Sequence, residues 1–179
     1  MPNTFELIAS STVGSGGAAS IDFSSIPATY TDLVMLGSFR QSGVGETNPP
    51  IGRIELLINN TNTGNLYSIK MLYGTGSAAG SAGGSGANRD FYDGASVASG
   101  ATASTFSNVS YYIPNYAGSN NKSFSIDSVT ENNGTAADAS LTAGLFASSS
   151  AINRLTVQPY DGSNFVQYST AYLYGIKNS

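Results

Sequence analysis

A chain of 179 residues with no His, no Cys, only 10% charged side chains and a net charge of −4 has few of the groups that carry acid, base, nucleophilic or transition-metal chemistry. Its seven Lys and Arg are spread from Arg40 to Lys177 rather than grouped, which argues against nucleic acid, and no apolar run reaches the roughly 20 residues that cross a bilayer. With 40% hydrophobic and 11% aromatic residues there is enough apolar surface to build a core, and one domain over residues 1–179 is expected.

From the N-terminus onward, apolar residues recur at every second position, the period of a half-buried strand. Phe5 and Leu7 open the series, Ile21 and Phe23 follow, and Leu33, Met35 and Phe39 share one parity. The stretch between the first two runs, TVGSGGAAS at 12–20, reads as a plain loop. Ile54, Leu56 and Ile58 form the next face, then Tyr67, Ile69, Met71 and Tyr73, with the turn-forming Asn-Asn-Thr-Asn-Thr-Gly at 59–64 between them.

Residues 74–88, GTGSAAGSAGGSGAN, contain almost nothing to bury and read as a glycine-rich surface loop. They lack the Lys-Ser/Thr ending of a phosphate-binding loop. Beyond them come Val109, Tyr111 and Ile113, then Phe124 and Ile126. Val129 is out of step with that pair, which predicts a β-bulge near Ser128. Asn-Gly at 133–134 and Asp-Gly at 161–162 are hairpin signals on either side of Leu141, Ala143 and Leu145 and of Leu155 and Val157. Tyr172, Tyr174 and Ile176 close the set. No segment has a helical period, so an all-β, single-domain, jelly-roll-like sandwich of about ten strands is expected.

Carboxylates are the remaining candidates for chemistry. Asp90 with Asp93, in RDFYDG, and Asp127 with Glu131 are the closest pairs in sequence, as a glycan hydrolase or a calcium site would need. No Asp-x-Asp-x-Asp-Gly loop accompanies either, and Asp93-Gly94 and Asp161-Gly162 are more simply turn formers. No catalytic residue, cofactor or metal is therefore expected. Among the aromatics, Tyr111, Tyr172 and Tyr174 fall on the alternating faces and read as structural, whereas Tyr92, Tyr112 and Tyr116, with Asn115 and Asn120, are the candidates for exposed glycan contacts. The loops at 59–65, 115–121 and 160–164 would form the rim of such a site.

The segments IASSTVGSGGAASIDFSSIPATYTDLVMLGSFR at 8–40, YYIPNYAGSNNKSFS at 111–125 and VTENNGTAADASLTAGLFASSSAINRLTV at 129–157 resemble a family of small virion structural proteins of tailed phages that infect marine and freshwater bacteria. The ending STAYLYGIKNS is similar to the way those chains end. Members are usually called virion structural or tail-fibre proteins, and no catalytic residue comes with the match. The resemblance implies a protein of the phage particle, made in the host cytoplasm and displayed on the virion surface. With neither a signal peptide nor a heptad stalk in the sequence, a capsid decoration (cement) protein is the leading expectation and a tail-fibre module that binds host surface glycans the competing one.

Sheet edges with few Lys or Pro to blunt them invite pairing with another chain. The expected partners are thus further copies of the chain, as a homotrimer by analogy with other virion modules, and the major capsid protein or another virion protein. Thr4, Phe5, Leu7 and Ile8 in the N-terminal segment and Gly74, Gly80 and Gly84 in the glycine-rich stretch are the expected assembly contacts, since both segments can add backbone hydrogen bonds to a neighbour.

Overall fold

Side chains two apart in an extended chain share a face, and the alternating runs accordingly form strands. The computed structural model describes residues 4–46, 50–76, 78–85, 93–134 and 137–177. Within them the strands are β1 (Phe5–Thr12), β2 (Ile21–Phe23), β3 (Asp32–Ser38), β4 (Ile51–Ile58), β5 (Tyr67–Gly74) and β6 (Ala79–Ser85). They continue as β7 (Ala95–Val97), β8 (Asn108–Pro114), β9 (Lys122–Val129), β10 (Ala139–Phe146), β11 (Leu155–Pro159) and β12 (Thr170–Ile176). One 3₁₀ turn, Gly64–Leu66, precedes β5.

All ladders between these strands are antiparallel. An eight-stranded sheet runs in the order β1-β12-β3-β8-β9-β10-β5-β6, and a four-stranded sheet in the order β2-β11-β4-β7. The protein is an all-β sandwich with more strands than expected; its eight-plus-four order does not by itself single out a jelly roll. The core draws on both sheets: Leu33, Met35, Ile69, Tyr111, Phe124 and Leu173 from the large one meet Ile54, Leu56, Ile58, Leu155 and Val157 from the small one. Phe39 stacks on Phe165 with ring centroids 5.0 Å apart.

The turn chemistry is where the sequence placed it. Asn59, Asn60 and Asn133 have positive φ, as does Gly162, so each tight connection uses a residue that tolerates the left-handed region. The N-terminal segment forms an ordered strand, β1, and Val13 in the loop after it is buried.

Four expectations need correction. Residues 79–85, read as part of a loop, form β6, which pairs with β5 from Ser68↔Ser85 to Gly74↔Ala79. The pairing is made by backbone groups and needs no apolar side chain. Second, β9 is unbroken, with alternating burial and continuous register against β8 and β10, so there is no bulge near Ser128; the irregularity lies in β1 between Leu7 and Ala9. Third, Tyr116 is not an exposed contact: its ring is fully buried and its hydroxyl donates to the Pro27 carbonyl.

The fourth concerns which way two strands face. On β10 the large residues Leu141, Ala143 and Leu145 point out, while Ser140, Thr142, Gly144 and Phe146 point in. On β12 the inward residues are Ala171, Leu173 and Gly175, so Tyr172 and Tyr174, read as structural, face outward with Ile176. Small inward residues are required by their neighbours. A Cβ at Gly144 would overlap the Phe124 ring and one at Gly175 the Tyr30 ring.

Candidate functional site

The inverted strands leave the outer face of the eight-stranded sheet rich in exposed apolar groups. The ladder registers set them out in rows. One row runs Leu72, Leu141, Asp127, Ser110, Leu36, Tyr172, across β5, β10, β9, β8, β3 and β12. The next runs Lys70, Ala143, Ser125, Tyr112, Val34, Tyr174, Leu7 and ends on β1. Leu72 is 63% and Leu141 57% exposed, so the fold removes less than half of each side chain's apolar surface from water. Phe5, Leu7, Leu36, Tyr112, Val129, Leu145 and Tyr172 are exposed on the same sheet.

The face has two halves. Over β5 and β10 the rows make a shallow groove of about 640 Å³, with Leu72, Leu141 and Ala143 on its floor and Ser81, Ala82 and Ser125 at its sides. Lys70 and Asp127 flank it on opposite sides of β10, one rung apart. The half over β8, β3, β12 and β1 carries Leu36, Tyr112, Tyr172, Tyr174 and Leu7. The Tyr112 hydroxyl donates to Asp32 Oδ2 at 3.0 Å, and this bond, then burial and the Asp32 charge, raises its pKa. Asp32 Oδ1 accepts from the Asn115 backbone N–H at 2.9 Å, holding the positive-φ turn that leads out of β8.

The expected assembly residues fall on the two margins of this sheet. Phe5, Leu7 and Ile8 lie on β1, one edge strand, with Thr4 immediately before it; Gly80 and Gly84 lie on β6, the opposite edge, and Gly74 ends β5 beside it. Eight strands at about 4.8 Å spacing put those margins roughly 34 Å apart, so the two segments form separate contacts and not one site. Each edge has partial protection of its own. Lys177 pairs with Glu6 at 2.6 Å beside β1, and the Tyr73 ring lies over Gly80 on β6.

The expected glycan residues are not gathered. Tyr112 is on the outer face, Asn115 and Asn120 are exposed in the following turn, Tyr116 is in the core, and Tyr92 lies outside the described residues. The loop at 59–65 is tied down, with Asn59 Oδ1 accepting from the Asn153 and Arg154 backbones. The loop at 160–164 does border a cavity, of about 320 Å³, lined by Val44, Ile51, Arg53 and the exposed Tyr160. There Gln41 donates to Asp161 Oδ2 at 2.8 Å and accepts from Ser96 Oγ at 2.6 Å, which fixes the carboxylate at the cavity mouth.

Of the paired carboxylates, Asp93 and Glu131 have structural work. Asp93 is buried and its Oδ2 accepts from the Leu56 backbone N–H at 3.0 Å. Together with Gly94 O on Ile54 N–H and the Tyr67 hydroxyl on Ile58 N–H, it satisfies the side of β4 that extends past the short β7. Asp90 lies outside the described residues. Asp127 belongs to the outer face of β9, and Glu131 in the next turn accepts from the Asn133 N–H. Among the described residues no group of three or more Asp, Glu, His or Cys is arranged to hold a metal ion.

The sequence pattern placed Leu141, Leu145, Tyr172 and Tyr174 on half-buried faces, left Leu36 and Leu72 outside the counted faces and read Tyr112 as exposed, so it did not gather these groups into one outer face. The signal that could have found it is β10 itself: its second parity, Ser140, Thr142, Gly144 and Phe146, contains the largest side chain of the strand. No protein-family model, curated protein or solved structure matches the chain.

Proposed function

We propose that the chain is a non-enzymatic structural protein of a bacteriophage particle, a decoration or cement protein that sits on the shell and reinforces it. The observation that carries this reading is the outer face of the eight-stranded sheet, where apolar side chains stand in water on a rigid platform bounded by two long edge strands. Apolar surface of that extent is stabilised when another protein covers it. The likeness of the segments at 8–40, 111–125 and 129–157 to virion structural proteins supplies the partner class: the major capsid protein or another virion protein, with further copies of the chain.

The test is particle assembly with and without the protein. Particles lacking it are expected to break at lower temperature and to regain stability when it is added back, with labelled protein found on the shell. Unchanged particle stability together with label confined to the tail would contradict the reading.

The cavity beside Tyr160 favours a second reading, a recognition module that binds host surface glycans. An exposed tyrosine ring next to a fixed carboxylate suits a sugar ring that stacks and donates hydroxyls. Binding of the isolated protein to host cells, lost in Tyr160→Ala, would select it over decoration.

A further inference from the structure

We infer that the groove half of the outer face is a self-pairing surface, on which two copies of the chain dock crosswise about a two-fold axis. The inference deepens the assembly reading and rests on it. Three features of the groove fit a second copy. The first is charge: Lys70 on β5 and Asp127 on β9 stand on opposite sides of β10, offset by one rung, and neither has a partner among the described residues. A two-fold axis lying in the interface across that diagonal sets each Lys70 over the partner copy's Asp127, twice.

The same operation brings Leu141 against the partner copy's Leu72, so the exposed leucines meet one another instead of a polar surface. The third feature is size. Four strands from β9 to β6, at about 4.8 Å spacing and some 24 Å long, offer roughly 460 Å² per copy, or about 920 Å² in the pair, the size of a weak, reversible contact. A contact in which both copies use one patch closes as a dimer, whereas the trimer expected by analogy needs two different patches on each copy. Pairing through the groove leaves the half that carries Leu36, Tyr172 and Tyr174 open to a different virion protein.

Charge exchange on the purified full chain tests the inference. Sedimentation velocity at micromolar concentration is expected to give a dimer for the unaltered protein. Lys70→Asp and Asp127→Lys are each expected to weaken it at least about tenfold, because like charges then face one another, and the double variant K70D/D127K to restore it. Both positions are exposed, so thermal melting should not change and loss of pairing is not loss of fold. A monomer, a trimer, single variants without effect, or a double variant that fails to rescue would each overturn the pairing. A monomer that still stabilises particles would do so while leaving the decoration reading in place; a charge-sensitive dimer absent from particles would sink decoration and leave the pairing.

Discussion

The two sheets of the sandwich treat their outer faces in opposite ways. On the four-stranded sheet the outward residues of β4 and β11 are finished within the chain: Gln158 donates to Glu55 at 2.6 Å, Thr156 and Arg154 both donate to Asp22, and Leu57 is only 8% exposed. Its edge strands, β2 and β7, have three residues each, too short to template another chain. On the eight-stranded sheet the outward residues include exposed leucines and tyrosines, and the edges, β1 and β6, have eight and seven residues. Folding accounts for the first face and leaves much of the second bare. On the reading proposed above, another molecule completes that face.

Variants that separate the inside of a strand from its outside break this comparison most sharply. Phe146 on β10 packs against Tyr67 with centroids 4.8 Å apart, and Phe146→Ala should cost about 3–5 kcal/mol in urea unfolding. Its neighbour Leu145, pointing out, should cost less than about 0.5 kcal/mol as Leu145→Ser. Equal losses at the two positions would mean that the facing of β10 is not as described. Next in size, Asp93→Ala strips the acceptor from the buried Leu56 N–H on the small sheet and should cost about 1–3 kcal/mol, read as a shift of the urea midpoint at constant slope.

A smaller effect comes from Asp138, a fully buried carboxyl between β9 and β10 with the Arg53 guanidinium 3.8 Å away. Burial raises its pKa, Glu46 adds to the rise and Arg53 opposes it. Because the folded value lies above the unfolded one, the stabilisation Asp138 contributes is complete below the unfolded pKa and is lost as pH rises through the raised value. Asp138→Asn should remove that loss on raising the pH, so the difference in urea midpoint between the two proteins should favour the variant progressively from about pH 4 to neutrality. A constant difference across that range would show that Asp138 does not titrate in this way. The smallest effect belongs to Tyr111, fully buried, with no hydrogen-bond partner for its hydroxyl among the described residues: Tyr111→Phe should be neutral within about 0.5 kcal/mol or stabilising by thermal melting.

Much of the small sheet and the centre of the large one was legible in the sequence, because Ile54, Leu56 and Ile58, or Val109, Tyr111 and Ile113, are both the large residues of their strands and the inward ones. The rule that large and apolar means inward failed on β10 and β12, where Leu141, Leu145 and Tyr172 stand outside. It fails wherever a strand turns its large residues outward, since one-dimensional alternation records a period but not its direction. Strand β6 was illegible for another reason: Gly, Ala and Ser leave no side-chain period, and backbone pairing with β5 supplies the structure. Tyr116 was misplaced because a tyrosine outside any strand period looks like a surface residue until the Pro27 carbonyl is found at its hydroxyl.

Solvent access at the centre of the groove tests the account most directly. The chain has no cysteine, so Ala143→Cys introduces a single small thiol between Leu141 and Leu145, and Ser24→Cys an exposed reference thiol in the loop after β2. In protein at micromolar concentration, and on assembled particles, alkylation at position 143 should be at least about tenfold slower than at position 24, and the two rates should converge on dilution of the free protein. Equal rates at every concentration and on the particle would show that the outer face of the large sheet stays bare, and would contradict the claim that another molecule completes it.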